Sequence, residues 1–150
     1  MANKTKKAQV VLAALDAKNQ SFSFLLLKLI DERKGHWQNV TGKIDEGESF
    51  DEGALREAEE ESGLQLENIV EMIDLKIEHN FIDFRNRDCR ERAFLVVMNS
   101  RWDVKIDPHE HQDFKWVPLQ DIKRDCVHYE GNYEALEKSV EILKSWRQEE

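Results

Sequence analysis

Apolar positions along the chain follow two rhythms. Residues 8–15 (AQVVLAAL) and 22–30 (FSFLLLKLI) are short, mostly apolar runs on either side of a polar turn, and both read as strands. The second is apolar at both alternating sets of positions, which predicts a central strand covered on both faces. Residues 69–78 (IVEMIDLKIE) alternate, which predicts Ile69, Ile73, Leu75 and Ile77 on one face. A further buried strand is expected over 93–98 and a short one over 114–117, just ahead of Pro118. The other rhythm is helical. One helix is expected to begin at Ser49, whose hydroxyl and Glu52 form a capping-box pattern, and to end at Gly63 in a left-handed cap. A second spans about 132–146, with Leu136, Val140, Leu143 and Trp146 recurring on one side. Strands with one helix midway and another at the end predict an α/β (α+β) fold, a mixed sheet covered on two sides.

Length adds that this is one domain, 1–150, able to bury a core without a disulfide or metal staple. No internal repeat or linker interrupts it. The two cysteines, Cys89 and Cys126, lie far apart in no metal-like spacing, so reduced thiols are expected. The basic N-terminus leads into too short an apolar run for a signal peptide. No run approaches the ~18 residues of a membrane span. A soluble, cytoplasmic protein without a membrane partner is the expectation.

Charge changes the picture more. The net charge of −9 argues against a long nucleic acid as partner. Most of that excess sits between Gly42 and Leu64, where nine acids face two bases, Lys43 and Arg56. On the predicted first helix, Glu57, Glu60 and Glu61 stand at i, i+3 and i+4 and share one face. A solvated acidic face is the ordinary reading of such a run, but the usual lysines at i+4 are missing. Clustered carboxylates also suit hard cations, and magnesium in particular combines a few carboxylates with waters and substrate phosphates.

From Gly42 the chain reads GKIDEGESFDEGALREAEEESGL, which fits the pattern G-x5-E-x7-R-E-U-x-E-E-x-G-U, with U apolar. The segment resembles the Nudix box, and the chain is identified on it as a member of the Nudix hydrolase superfamily. The resemblance implies a three-layer α/β/α sandwich around a mixed sheet. It also implies Mg2+ as cofactor, with Mn2+ able to substitute, and metal ligation by Glu57, Glu60 and Glu61 with the Gly42 carbonyl. It makes Glu48 and Arg56 a structural ion pair, with Gly42 and Gly63 as structural glycines. Ala58 is smaller than the family's usual residue. Gly53 lies inside the helix, where it costs up to ~1 kcal/mol relative to alanine, and the pattern gives no reason for it.

The run from Trp37 to Gly42 (WQNVTG), with Glu110-His111 and Lys115-Trp116, resembles bacterial dihydroneopterin triphosphate and (d)NTP pyrophosphatases. Within His109-Glu110-His111, adjacent side chains are expected to point apart. Zinc is therefore not expected, and Glu110 alone is the candidate further ligand or general base. Arg85, Arg87, Arg90 and Arg92 are expected in a loop between strands. There they either hold a triphosphate or pair with the acidic surface. Trp37, Phe81 and Trp116 either stack on a base or pterin or pack in the core. The expected activity is hydrolysis of a nucleotide or pterin triphosphate to a monophosphate and pyrophosphate. Dinucleoside polyphosphates, nucleotide sugars and RNA 5′ ends stay open as substrates, and a homodimer stays open as the assembly. A regulator that binds nucleotides without cleaving them is the reading from another class, and the intact box argues against it.

Overall fold

The computed structural model describes residues 4–18 and 20–148. Its strands are β1 (Thr5–Asp16), β2 (Ser21–Leu29), β3 (Trp37–Gln38), β4 (Val40–Lys43), β5 (Ile69–Ile82), β6 (Asp88–Met98) and β7 (His111–Pro118). Two α-helices accompany them, α1 (Phe50–Ser62) and α2 (Glu130–Gln148). The strands form a mixed sheet with the path β3-β2-β1-β6-β5, where β4 also pairs with β1 and β7 with β2. β1 and β6 are parallel, and the remaining pairs are antiparallel.

The sheet forks at β1. From Leu12 to Asp16 this strand pairs with β2, but from Lys7 to Val10 it pairs with β4. β2 runs on without β1 and there pairs with β3, while β7 accompanies it from Ser23 to Leu29. Alternation then divides the core in two. Val11, Ala13, Phe24, Leu26, Leu95 and Val97 pack toward α2, against Leu136 and Leu143. Val10, Leu12, Leu25, Leu27, Phe94 and Val96 pack toward α1, against Ala54 and Ala58. β2 is therefore covered on both faces, as its two apolar sets predict, and the architecture is the three-layer α/β/α arrangement.

The predicted limits of α1 agree with the structure. The Ser49 hydroxyl accepts the Glu52 amide at 3.1 Å, and the Glu52 carboxylate accepts the Ser49 amide at 3.0 Å. Gly63 closes the helix at φ 73°, a left-handed value that penalises a side chain.

Elsewhere the structure corrects the sequence reading. Ile69 does not share a face with Ile73, Leu75 and Ile77. A register shift between Ile69 and Glu71 moves it to the α1 side, beside Met72. β3 and β4 were not predicted, because they are short and polar residues interrupt them. β6 starts at Asp88, which places Arg90 and Arg92 on a strand rather than in a loop. Among the described residues, no helix is long and apolar enough to cross a membrane.

Candidate active site

The fork places β4 directly beneath α1. A Cβ on Gly42 would overlap the Glu57 side chain, so glycine here leaves the room in which that carboxyl lies. Arg56 ties the intervening loop to α1. Its Nε and Nη2 hold both Glu48 oxygens, at 2.8 and 2.9 Å, and Nη2 also donates to the Lys43 carbonyl at 2.9 Å. Nη1 reaches Glu57 at 2.9 Å and Glu60 at 3.1 Å. Hydrogen bonding to Arg56 pulls the Glu48 carboxyl down to about 2. The guanidinium is thus committed to the loop and to the outer edge of the carboxylate row.

Glu61 is left without such help. It is 5% exposed, and its Oε2 has no hydrogen-bond partner among the described residues. Burial, then the nearness of Glu57 and Glu110, raises its carboxyl well above the ordinary range. Burial also raises Glu57, against the pull of Arg56. Glu60 stays more exposed, at the rim.

Glu110 arrives from the turn before β7. Its amide and that of His111 both donate to the Asp107 carbonyl, at 3.0 and 2.8 Å. The Ile30 amide in turn donates to the Glu110 carbonyl at 3.0 Å. This reversal brings two consecutive side chains to one place. Ligand atoms of Glu61, Glu110 and His111 all lie within 4.8 Å of one another. The expectation that neighbours in this triplet point apart therefore fails for Glu110 and His111, because Glu110 closes a turn and His111 is the first residue of β7. His111 is buried with neither ring nitrogen bonded among the described residues, and burial lowers its pKa, which favours the neutral imidazole. The sequence reading passed over it in favour of Glu110, and only its adjacency to that residue signalled it. His109 is exposed and outside the group.

An oxygen-rich cluster with an unpaired buried carboxylate suits a divalent cation. Comparison with known proteins agrees with that chemistry, since the model of the NUDIX domain matches residues 4–138. The chain belongs to the NUDIX domain family. An octanoyltransferase from Myxococcus xanthus is 33% identical over 113 residues, 73% of this chain but 30% of that protein. An asymmetrical bis(5′-nucleosyl)-tetraphosphatase from Caenorhabditis elegans is 31% identical over 86 residues, 57% of this chain and 61% of that one. The chain thus spans less than two thirds of either relative. The solved Escherichia coli dihydroneopterin triphosphate pyrophosphohydrolase superposes with a TM-score of 0.73 at 23% identity, covering 94% of this chain and 99% of that one. That likeness is one of fold. Divalent metals are general cofactors of NUDIX hydrolases, and Glu61, Glu110 and His111 form an acidic cluster able to hold one, while Glu57 and Glu60 lie outside that group and bond to Arg56.

Other predicted contacts of this NUDIX domain lie apart from the carboxylates. Trp37 packs on the α2 side of the sheet, with the Lys115 ammonium 4.2 Å from its ring centre. Trp116 packs on the α1 side and meets Trp102 edge-on at 5.0 Å. Phe81 lies under Lys7. Three of the four arginines bind acids of the adjoining strand and turn. Arg87 chelates Asp83 at 2.8 Å, Arg92 holds Asp74 at 2.6 Å, and Arg90 pairs with Glu78. Arg85 is exposed and unpaired among the described residues.

Proposed function

We propose that the protein is a divalent-metal-dependent phosphoanhydride hydrolase that converts a nucleotide or pterin triphosphate to a monophosphate and pyrophosphate. The observation that supports it most is Glu61, a buried carboxylate with an unbonded oxygen, crowded by Glu57 and Glu110 where Arg56 gives it no hydrogen bond. Such a group is stable in its charged form only beside a cation. Glu57, Glu60, Glu61 and Glu110, with the Gly42 carbonyl, are the residues that would hold Mg2+ or Mn2+. His111 is close enough to join them. A bound cation supplies neutralisation of phosphate charge and activation of water. The chain's own residues do the rest. Arg56 fixes the loop against α1, Gly42 leaves room for the Glu57 side chain, and Glu110 would act as a metal ligand or as the base that takes a proton from the attacking water.

The resemblance of the WQNVTG run to triphosphate pyrophosphatases favours attack at an inner phosphorus. A second reading, asymmetric cleavage of a dinucleoside tetraphosphate, has support from the C. elegans relative and uses the same carboxylates. The test is to incubate the purified protein with Mg2+ and separate panels of triphosphates, dinucleoside polyphosphates and nucleotide sugars. Products are resolved by ion exchange before any pyrophosphatase is added. Monophosphate with intact pyrophosphate is the expected result. Orthophosphate with a diphosphate refutes the cleavage site, and no turnover of any compound refutes the enzyme reading.

A further inference from the structure

The turn between β5 and β6 presents an exposed aromatic ring to two guanidiniums. Phe84 is 62% exposed, and the guanidinium carbons of Arg33 and Arg85 lie 4.1 and 5.3 Å from its ring centre. Neither arginine side chain forms a hydrogen bond or ion pair among the described residues. In a chain with 31 acids and a net charge of −9 this needs a reason. Their neighbours show the contrast, since Arg87, Arg90 and Arg92 are each neutralised by an acid.

Arg33 is also close to the candidate active site. It ends the 3-10 turn Asp31–Arg33 that follows β2, and the preceding Ile30 amide donates to the Glu110 carbonyl. The Gln112 amide clamps the same turn, donating to Asp31 at 2.8 Å and to the Leu29 carbonyl at 2.9 Å. Two cations of like sign repel, and sharing a ring holds them together only weakly. An anion bridging them removes that repulsion.

We propose that Arg33 and Arg85, braced on Phe84, grip the outer phosphates of the substrate's polyphosphate chain, in place of Arg87 and Arg90. The inference rests on the polyphosphate hydrolase reading and assigns recognition of the chain's distal end. These contacts act equally on the bound substrate and its transition state, so their loss raises KM and spares kcat.

The experiment compares wild type with Arg33→Ala, Arg85→Ala, the double variant and Arg33→Lys. Each is assayed with a nucleoside triphosphate and the matching diphosphate at saturating Mg2+. Each is also titrated calorimetrically with inorganic tripolyphosphate, which reports binding without turnover. Each single alanine variant is expected to raise KM for the triphosphate about 10-fold and to weaken tripolyphosphate similarly, with kcat within about twofold. The diphosphate KM should move less. Arg33→Lys should recover part of the loss, and raising ionic strength should weaken wild type more than the double variant. Arg87→Ala is the structural control. It should lower the thermal midpoint, since Asp83 is nearly buried beneath it, and leave KM unchanged. If wild type turns over triphosphates and the double variant keeps its KM and its tripolyphosphate affinity, the proposal is overturned and the hydrolase reading stands. If wild type turns over nothing but tripolyphosphate binding still depends on both arginines, the hydrolase reading fails and the phosphate grip holds.

Discussion

A carboxylate with one oxygen unpaired and almost no solvent is costly, and Glu61 is such a group. Sequence showed that Glu57, Glu60 and Glu61 share a helix face. It did not show that they differ, with Glu60 at the rim bonded to Arg56 and Glu61 deep in the cluster. That depth depends on how α1 lies on the sheet, which helical spacing does not encode. Glu61→Gln keeps the shape and removes the buried charge. It should abolish nearly all turnover and raise the thermal midpoint of the metal-free protein. Retention of more than about a tenth of the wild-type rate at saturating Mg2+ would sink the assignment, because an essential ligand supplies several kcal/mol in the transition state.

Among the elements, α1 was legible nearly to the residue, because its caps are local chemistry. Gly53 within it was not. Its missing side chain has a tertiary cause, since a Cβ there would overlap the Ile44 side chain and come within 3.2 Å of a Glu48 oxygen. Gly53→Ala gains up to ~1 kcal/mol of helix propensity. It must also displace a buried isoleucine, and overpacking of this kind costs ~1–3 kcal/mol. The expected outcome is a lower urea midpoint than wild type; a higher one would show that Ile44 yields freely. The strand β5 teaches a related lesson. Its alternation was visible, but the register shift beside Ile69 has no marker in the sequence. β3 and β4 are too short to carry a period; β4 takes the edge of β1 that is free where β2 departs, and β3 takes the matching edge of β2.

For the whole molecule, folding brings together acids from α1 and from the turn before β7, some fifty residues apart. A cation binding there favours the folded state over the unfolded one. The thermal midpoint should therefore rise with Mg2+ concentration, by the equivalent of ~2.7 kcal/mol at a hundred times the dissociation constant. A chelator should reverse the shift, and Glu61→Gln should show little of it. An Mg2+-independent midpoint in wild type, measured by scanning calorimetry, would argue against a metal at this cluster.

The family, both helices, the two-sided burial of β2 and the carboxylates of α1 are legible in the order of the residues. Each of these is written in nearest-neighbour chemistry or in a fixed spacing. The three-dimensional arrangement settles which carboxylate is buried, that His111 joins Glu110, and which arginines are unpaired among the described residues. The burial of Glu61 beside Glu110 and the pairing of Arg90 and Arg92 depend on contacts between segments distant in the chain. A guanidinium is engaged or available according to what the fold sets beside it, and Arg33 and Arg92 look alike until the strands are in place.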